Sequence, residues 1–183
     1  MSDDARANLQ GLLAWHRTTP RDLARLTLLA EPGSLYAIVD AARDPELIES
    51  LDASGEAWCA LDETREPDDL GDTAPVVVTF TPGAPSLAAL IEEAWGTGAM
   101  VFFTSDEPFP AAYRRALLRA GVDPERASTR YWVPAALRAA LDGGEAAYFE
   151  GVRAWLVESP DGRSLTRYAL SEGRVTRAEL PLG

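Results

Sequence analysis

The sequence predicts one α/β or α+β domain: a central mixed sheet flanked by helices, with a helical N-terminal segment and a C-terminal β-meander. Three observations predict it. Short apolar, β-prone runs such as "LYAIVD", "PVVVTF" and "AMVFFTS" alternate with segments of helical periodicity. The first 31 residues carry helical spacing alone. The last thirty alternate in polarity around the turn sequences "PDGR" and "SEGR". The expected organisation is a helical segment over 1–33, an α/β domain over 34–142 and a hairpin extension over 143–183 packed on the same domain.

Each element has a local reason. Leu9, Leu12, Leu13 and His16 fall at i, i+3, i+4 and i+7, one face of a helix. Thr19 can then cap a second helix, with Pro20 at its first position, and Pro32-Gly33 ends it. "SLYAIVD" reads as a strand, and "DPELIESLDASG" as a helix capped by Asp44 and stopped at Gly55. "EAWCAL" is a short strand, "ETREPDDLGD" an acidic loop and "PVVVTF" a valine-rich strand. In "SLAALIEEAWG", Leu87, Leu90, Ile91, Ala94 and Trp95 share a face and Gly96 terminates the helix. "AMVFFTS" is a buried strand and "FPAAYRRALLRAG" a helix ending at Gly121. "STRYWV" is read as a strand and "PAALRAALDGG" as a helix.

Composition limits function. The net charge is −12, and all 17 cations are arginine, which reads as GC-rich coding. An acidic balance argues against nucleic acid and anionic membrane surfaces as partners. No apolar run approaches a membrane span, and "MSDDARANLQ" has no basic segment leading into an apolar one, so the expected compartment is the cytoplasm. A single cysteine, Cys59, excludes an internal disulfide framework. One histidine and one cysteine cannot build the usual zinc shells, and "DETREPDD" lacks calcium-loop spacing. No G-x-S-x-G elbow or phosphate loop is present. No cofactor, metal or catalytic residue is therefore expected.

Asp40 ends the first strand. It is a candidate acid, with Asp62 after the next strand, or an acceptor for the turn leading to Asp44, or the partner of an arginine.

The motifs also carry a resemblance. "LYAIVDAARDPELIESLDASGEAWCAL", then "APVVVTFTPGAPSLAALIEEAWGTGAMVFFTSDEPFPAAYRRALLRAG", then "RYWVPAALRAAL" follow one another in order and spacing. Together they resemble the effector adaptor (chaperone) domain of type VI secretion systems over roughly residues 34 to 142. Val133 stands where that family has an aspartate before proline, and Ala94 where it has a glycine before tryptophan. The second tryptophan of that turn is missing, and hairpins stand in place of the family's variable helical lobe. The resemblance implies a non-enzymatic protein that binds a toxin effector and helps load it onto the secretion spike protein. Tyr36, Asp40, Trp95, Arg130 and Tyr131 match its motifs and are candidate partner-binding residues. A possible Asp40–Arg130 pair would organise one end of the sheet. Arg114, Arg115 and Arg119, off the apolar face of their helix, form a second candidate surface. The alternatives are a small carboxylate-dependent hydrolase and an immunity-type protein that neutralises a toxin.

Overall fold

A computed structural model describes residues 18–43, 46–61, 75–83, 85–121 and 131–183. Helix α1 (Pro20–Leu29) opens on the predicted cap. The Thr19 hydroxyl accepts the Asp22 N–H, and the Asp22 carboxylate accepts the Thr19 N–H at 3.0 Å. Strand β1 (Ser34–Asp40) follows, then helix α2 (Glu46–Ser54), strand β2 (Trp58–Ala60) and strand β3 (Pro75–Thr79). Helix α3 (Ser86–Ala94), strand β4 (Met100–Ser105) and helix α4 (Phe109–Gly121) come next. Helix α5 (Pro134–Asp142) leads to strands β5 (Ala154–Glu158), β6 (Ser164–Ser171) and β7 (Arg174–Pro181).

The strands form one sheet in the order β2-β3-β1-β4-β5-β6-β7. Every pairing is antiparallel, where a mixed sheet was expected, so the architecture is α+β. The β1–β4 register places Tyr36 opposite Phe103, and β1–β3 places it opposite Thr79. The meander continues the same sheet through β4–β5, with Phe103 opposite Trp155.

Helices cover both faces of the sheet, which explains why its central strands are apolar without alternation. Ala37 and Val39 of β1 join Met100 and Phe102 beneath Leu28 of α1, Leu51 of α2 and Leu90 and Ile91 of α3. On the other face Tyr36 and Ile38 join Val101, Phe103 and Trp155 beneath Ala112 and Ala116 of α4 and Leu137 and Leu141 of α5. Burying one such side chain completely, as for Leu28, contributes roughly 1.5–3 kcal/mol. Leu165 and Leu182 of the C-terminal segment sit in the first core and Tyr168 in the second. Arg167 of β6 donates to both Glu31 carboxylate oxygens, at 2.9 and 3.0 Å, tying the loop after α1 to the meander.

The described part of the predicted strand "STRYWV" is a turn. Tyr131, Trp132 and Val133 form the bend that enters α5, with Val133 at its N-cap. Their aromatic and β-branched character reflects burial between helices rather than pairing in a sheet. Tyr131 packs edge-on against Trp132 and Trp155. The helix read over Leu9–His16, the Asp44 cap, Asp62 and the "ETREPDDLGD" loop lie outside the described residues.

Candidate functional site

The described residues among those singled out from the sequence do not gather at one surface. Tyr36 lies at the centre of the sheet and is buried. Its ring stacks on Phe103 with centroids 5.0 Å apart, and its hydroxyl donates to the Glu107 carbonyl at 2.7 Å. Burial pushes its phenol pKa up. Tyr131 is equally buried, and its hydroxyl donates to the Ala116 carbonyl at 2.7 Å, locking the α5 entry onto α4. Asp40 is 7% exposed at the end of β1, where its N–H donates to the Ala99 carbonyl at 2.7 Å. Arg130 lies outside the described residues, and with it the possible Asp40–Arg130 pair.

Trp95 closes α3 and is buried. Its indole N–H donates to the Gly162 carbonyl at 2.9 Å. The following turn is held from the same direction. Glu158, at the end of β5 and 2% exposed, accepts the Gly96 N–H at 2.8 Å and the Gly98 N–H at 2.9 Å, one on each carboxylate oxygen. Desolvation raises its pKa, partly opposed by those two N–H groups and by the Arg138 guanidinium. Arg138 of α5 donates to the Glu158 carbonyl and, at 3.4 Å, to the Thr166 hydroxyl. Gly162 has φ +67°, and a Cβ there would lie 3.1 Å from the Trp95 indole nitrogen, so the approach admits only glycine comfortably. Sequence reasoning found Trp95 but missed Glu158, Arg138 and Gly162. Nothing in a strand-ending glutamate signals that its acceptor atoms face a turn 60 to 62 residues earlier.

On α4, Arg114 is exposed. Arg115 is half-buried: its Nε donates to Glu107 at 2.7 Å and its Nη1 to Glu150 at 2.6 Å. Hydrogen bonding to Glu107 raises its pKa further. Gly151 makes room for it, since a Cβ there would fall 2.4 Å from the Arg115 Cδ. Arg115 thus fastens α4 to the loop before β5, while Arg114 is exposed. Arg119 belongs to α4, and its side chain lies outside the described residues. Cys59 is half-buried in β2, and burial pushes its thiol pKa up, which disfavours the nucleophilic thiolate.

One open groove, of about 600 Å³, lies beside the sheet's C-terminal end. Arg138, Ser159, Asp161, Arg163 and Glu179 line it with mixed charge. Among the described residues no group of three or more His, Cys, Asp or Glu side chains is placed to hold a metal ion. No helix among them is long and apolar enough to cross a membrane.

The described site residues thus build a buried aromatic centre, a clamped Trp-Gly turn and an outer helix that carries arginines. Residues 35–149 match the family model described as "Domain of unknown function (DUF4123)", and the chain belongs to that family. No curated protein and no solved structure matches the chain.

Proposed function

We propose that this chain is an adaptor that binds a toxin effector in the cytoplasm of the producing cell. It helps load that effector onto the spike protein of a type VI secretion apparatus, with no chemical step of its own. The observation that carries the reading is a coincidence of extent. The family match over residues 35–149 covers the stretch whose ordered motifs resemble the effector adaptor domain. Binding then falls to groups that reach the surface. Arg114 is such a group, a planar and weakly hydrated cation on an otherwise acidic molecule. Tyr36, Trp95 and Tyr131 serve the same role indirectly, by fixing the elements that present the surface.

The test is affinity capture of the tagged full chain from lysate of the producing cell, with co-eluting proteins identified by mass spectrometry. Co-elution of a spike protein with one large effector is the expected result. A toxin without the spike would replace this reading with that of a neutralising protein. Recovery of neither would remove it and direct attention to hydrolase substrates.

A further inference from the structure

The sheet ends on β7, an eight-residue strand whose outer edge has no neighbour among the described residues. The register fixes which backbone groups that edge presents. Glu172 (φ 51°) and Gly173 (φ 75°) form a two-residue turn between the paired residues Ser171 and Arg174, the I′ geometry of a tight hairpin. The Leu182 N–H donates to the Arg163 carbonyl at 2.8 Å, one step beyond the Ser164–Pro181 pair. Alternation from either end gives the same answer. Arg174, Thr176, Ala178 and Leu180 turn their N–H and C=O groups to β6. Val175, Arg177, Glu179 and Pro181 turn theirs outward. Pro181 fits this assignment, because a proline is tolerated where the missing N–H faces away from the ladder.

We propose that this edge pairs with the β7 edge of a second copy of the chain, antiparallel about a two-fold axis at Ala178. The charges select that register. Centring the pair on Arg177 sets arginine opposite arginine, and centring it on Glu179 sets glutamate opposite glutamate. Centring it on Ala178 sets Arg177 of each copy directly opposite Glu179 of the other. Opposite charges at facing positions stabilise antiparallel pairs and like charges destabilise them. The same register puts the smallest available side chain on the axis and lets the Val175 N–H donate to the Pro181 carbonyl across it. Arg177 and Glu179 are both exposed at this edge, and one Glu179 carboxylate oxygen accepts the Ser164 hydroxyl at 3.0 Å. Within one chain they lie 3.9 Å apart, with 48% and 60% of their side chains exposed, and Arg177 reaches Asp142 only at 3.5 Å. The chain as a whole carries −12, yet the β6–β7 hairpin sets Arg167, Arg174 and Arg177 against Glu172 and Glu179. Repulsion between copies is therefore weaker at this edge than the net charge of the chain implies. The inference stands apart from the adaptor reading.

Sedimentation equilibrium of the full chain over a range of concentrations tests it. A reversible monomer–dimer equilibrium is expected. Glu179→Arg places like charges opposite each other and raises the dissociation constant on the order of tenfold. Adding Arg177→Glu to it restores the wild-type value. Arg177→Pro removes an outward N–H and no β6–β7 hydrogen bond, so it yields a monomer that still unfolds cooperatively, within about 1 kcal/mol of wild type at concentrations where wild type is also monomeric. In a Cys59→Ser background, Ala178→Cys forms an intermolecular disulfide on mild oxidation, because facing Cα atoms at such a position lie about 4.5 Å apart. A wild-type chain that stays monomeric at every concentration overturns the proposal. So does a dimer indifferent to Glu179→Arg, or a charge swap that fails to restore it.

Discussion

Glu158 shows how one residue can matter without being a reaction group. Its carboxylate supplies the acceptors for Gly96 and Gly98. Replacing it with alanine leaves those N–H groups without a protein partner, at a cost of roughly 2–4 kcal/mol, measurable by urea denaturation. Its pH behaviour has a definite sign. The folded-state pKa is raised above the ordinary 4.5, so its titration favours the fold below that value. That contribution is lost as pH rises through the folded-state pKa. The stability of wild type relative to Glu158→Gln should therefore fall as pH rises from about 4.5. A difference that is flat or grows over that range would contradict the assignment. Arg114 is the contrasting case. Arg114→Glu should leave stability within about 0.5 kcal/mol of wild type, since the residue is exposed, while weakening capture of the partner. Unchanged capture would remove Arg114 from the binding surface.

Elements were legible in the sequence where a residue type punctuates them. Thr19 and Pro20 mark the start of α1, Gly96 the stop of α3, and "SEGR" the turn between β6 and β7. Each signal is local and needs no knowledge of the rest of the chain. Thr19→Ala tests the first of them. It removes one half of a reciprocal cap and should cost about 1 kcal/mol in a denaturant titration. Tyr131–Val133 shows where this reading fails. β-propensity measures fit to a partly buried surface, and a turn packed between two helices and Trp155 offers such a surface as well. The candidate site was legible in the same uneven way. Trp95 and the arginines of α4 stand out by residue type, whereas Glu158 and Gly162 acquire meaning only from chain segments brought together by the fold.

At the scale of the whole molecule, the described residues form a single sheet between two helical layers, and the C-terminal strands take part in both cores. Leu165 and Leu182 pack with α1 and α3, Tyr168 packs with the aromatic cluster, and Arg167 holds Glu31. Truncation after Glu158 should therefore abolish cooperative unfolding rather than trim an appendage, as read by thermal circular dichroism. A truncated chain that retained the full transition would make the β6–β7 hairpin dispensable.

The clamp on the Trp95 turn also bears on how the chain matures during synthesis. The ribosome delivers α3 and its turn long before it delivers the glutamate and glycine that hold them. Until β5 and the Gly162 turn emerge, the Gly96 and Gly98 amides can bond only to water, and the indole of Trp95 has no carbonyl to meet. The nascent domain must then wait, with its sheet open on the β4 side, and it closes when the later strands arrive. Sequences that slow translation just after β5 would prolong that open interval, and with it the exposure of Phe102 and Phe103 to other nascent chains.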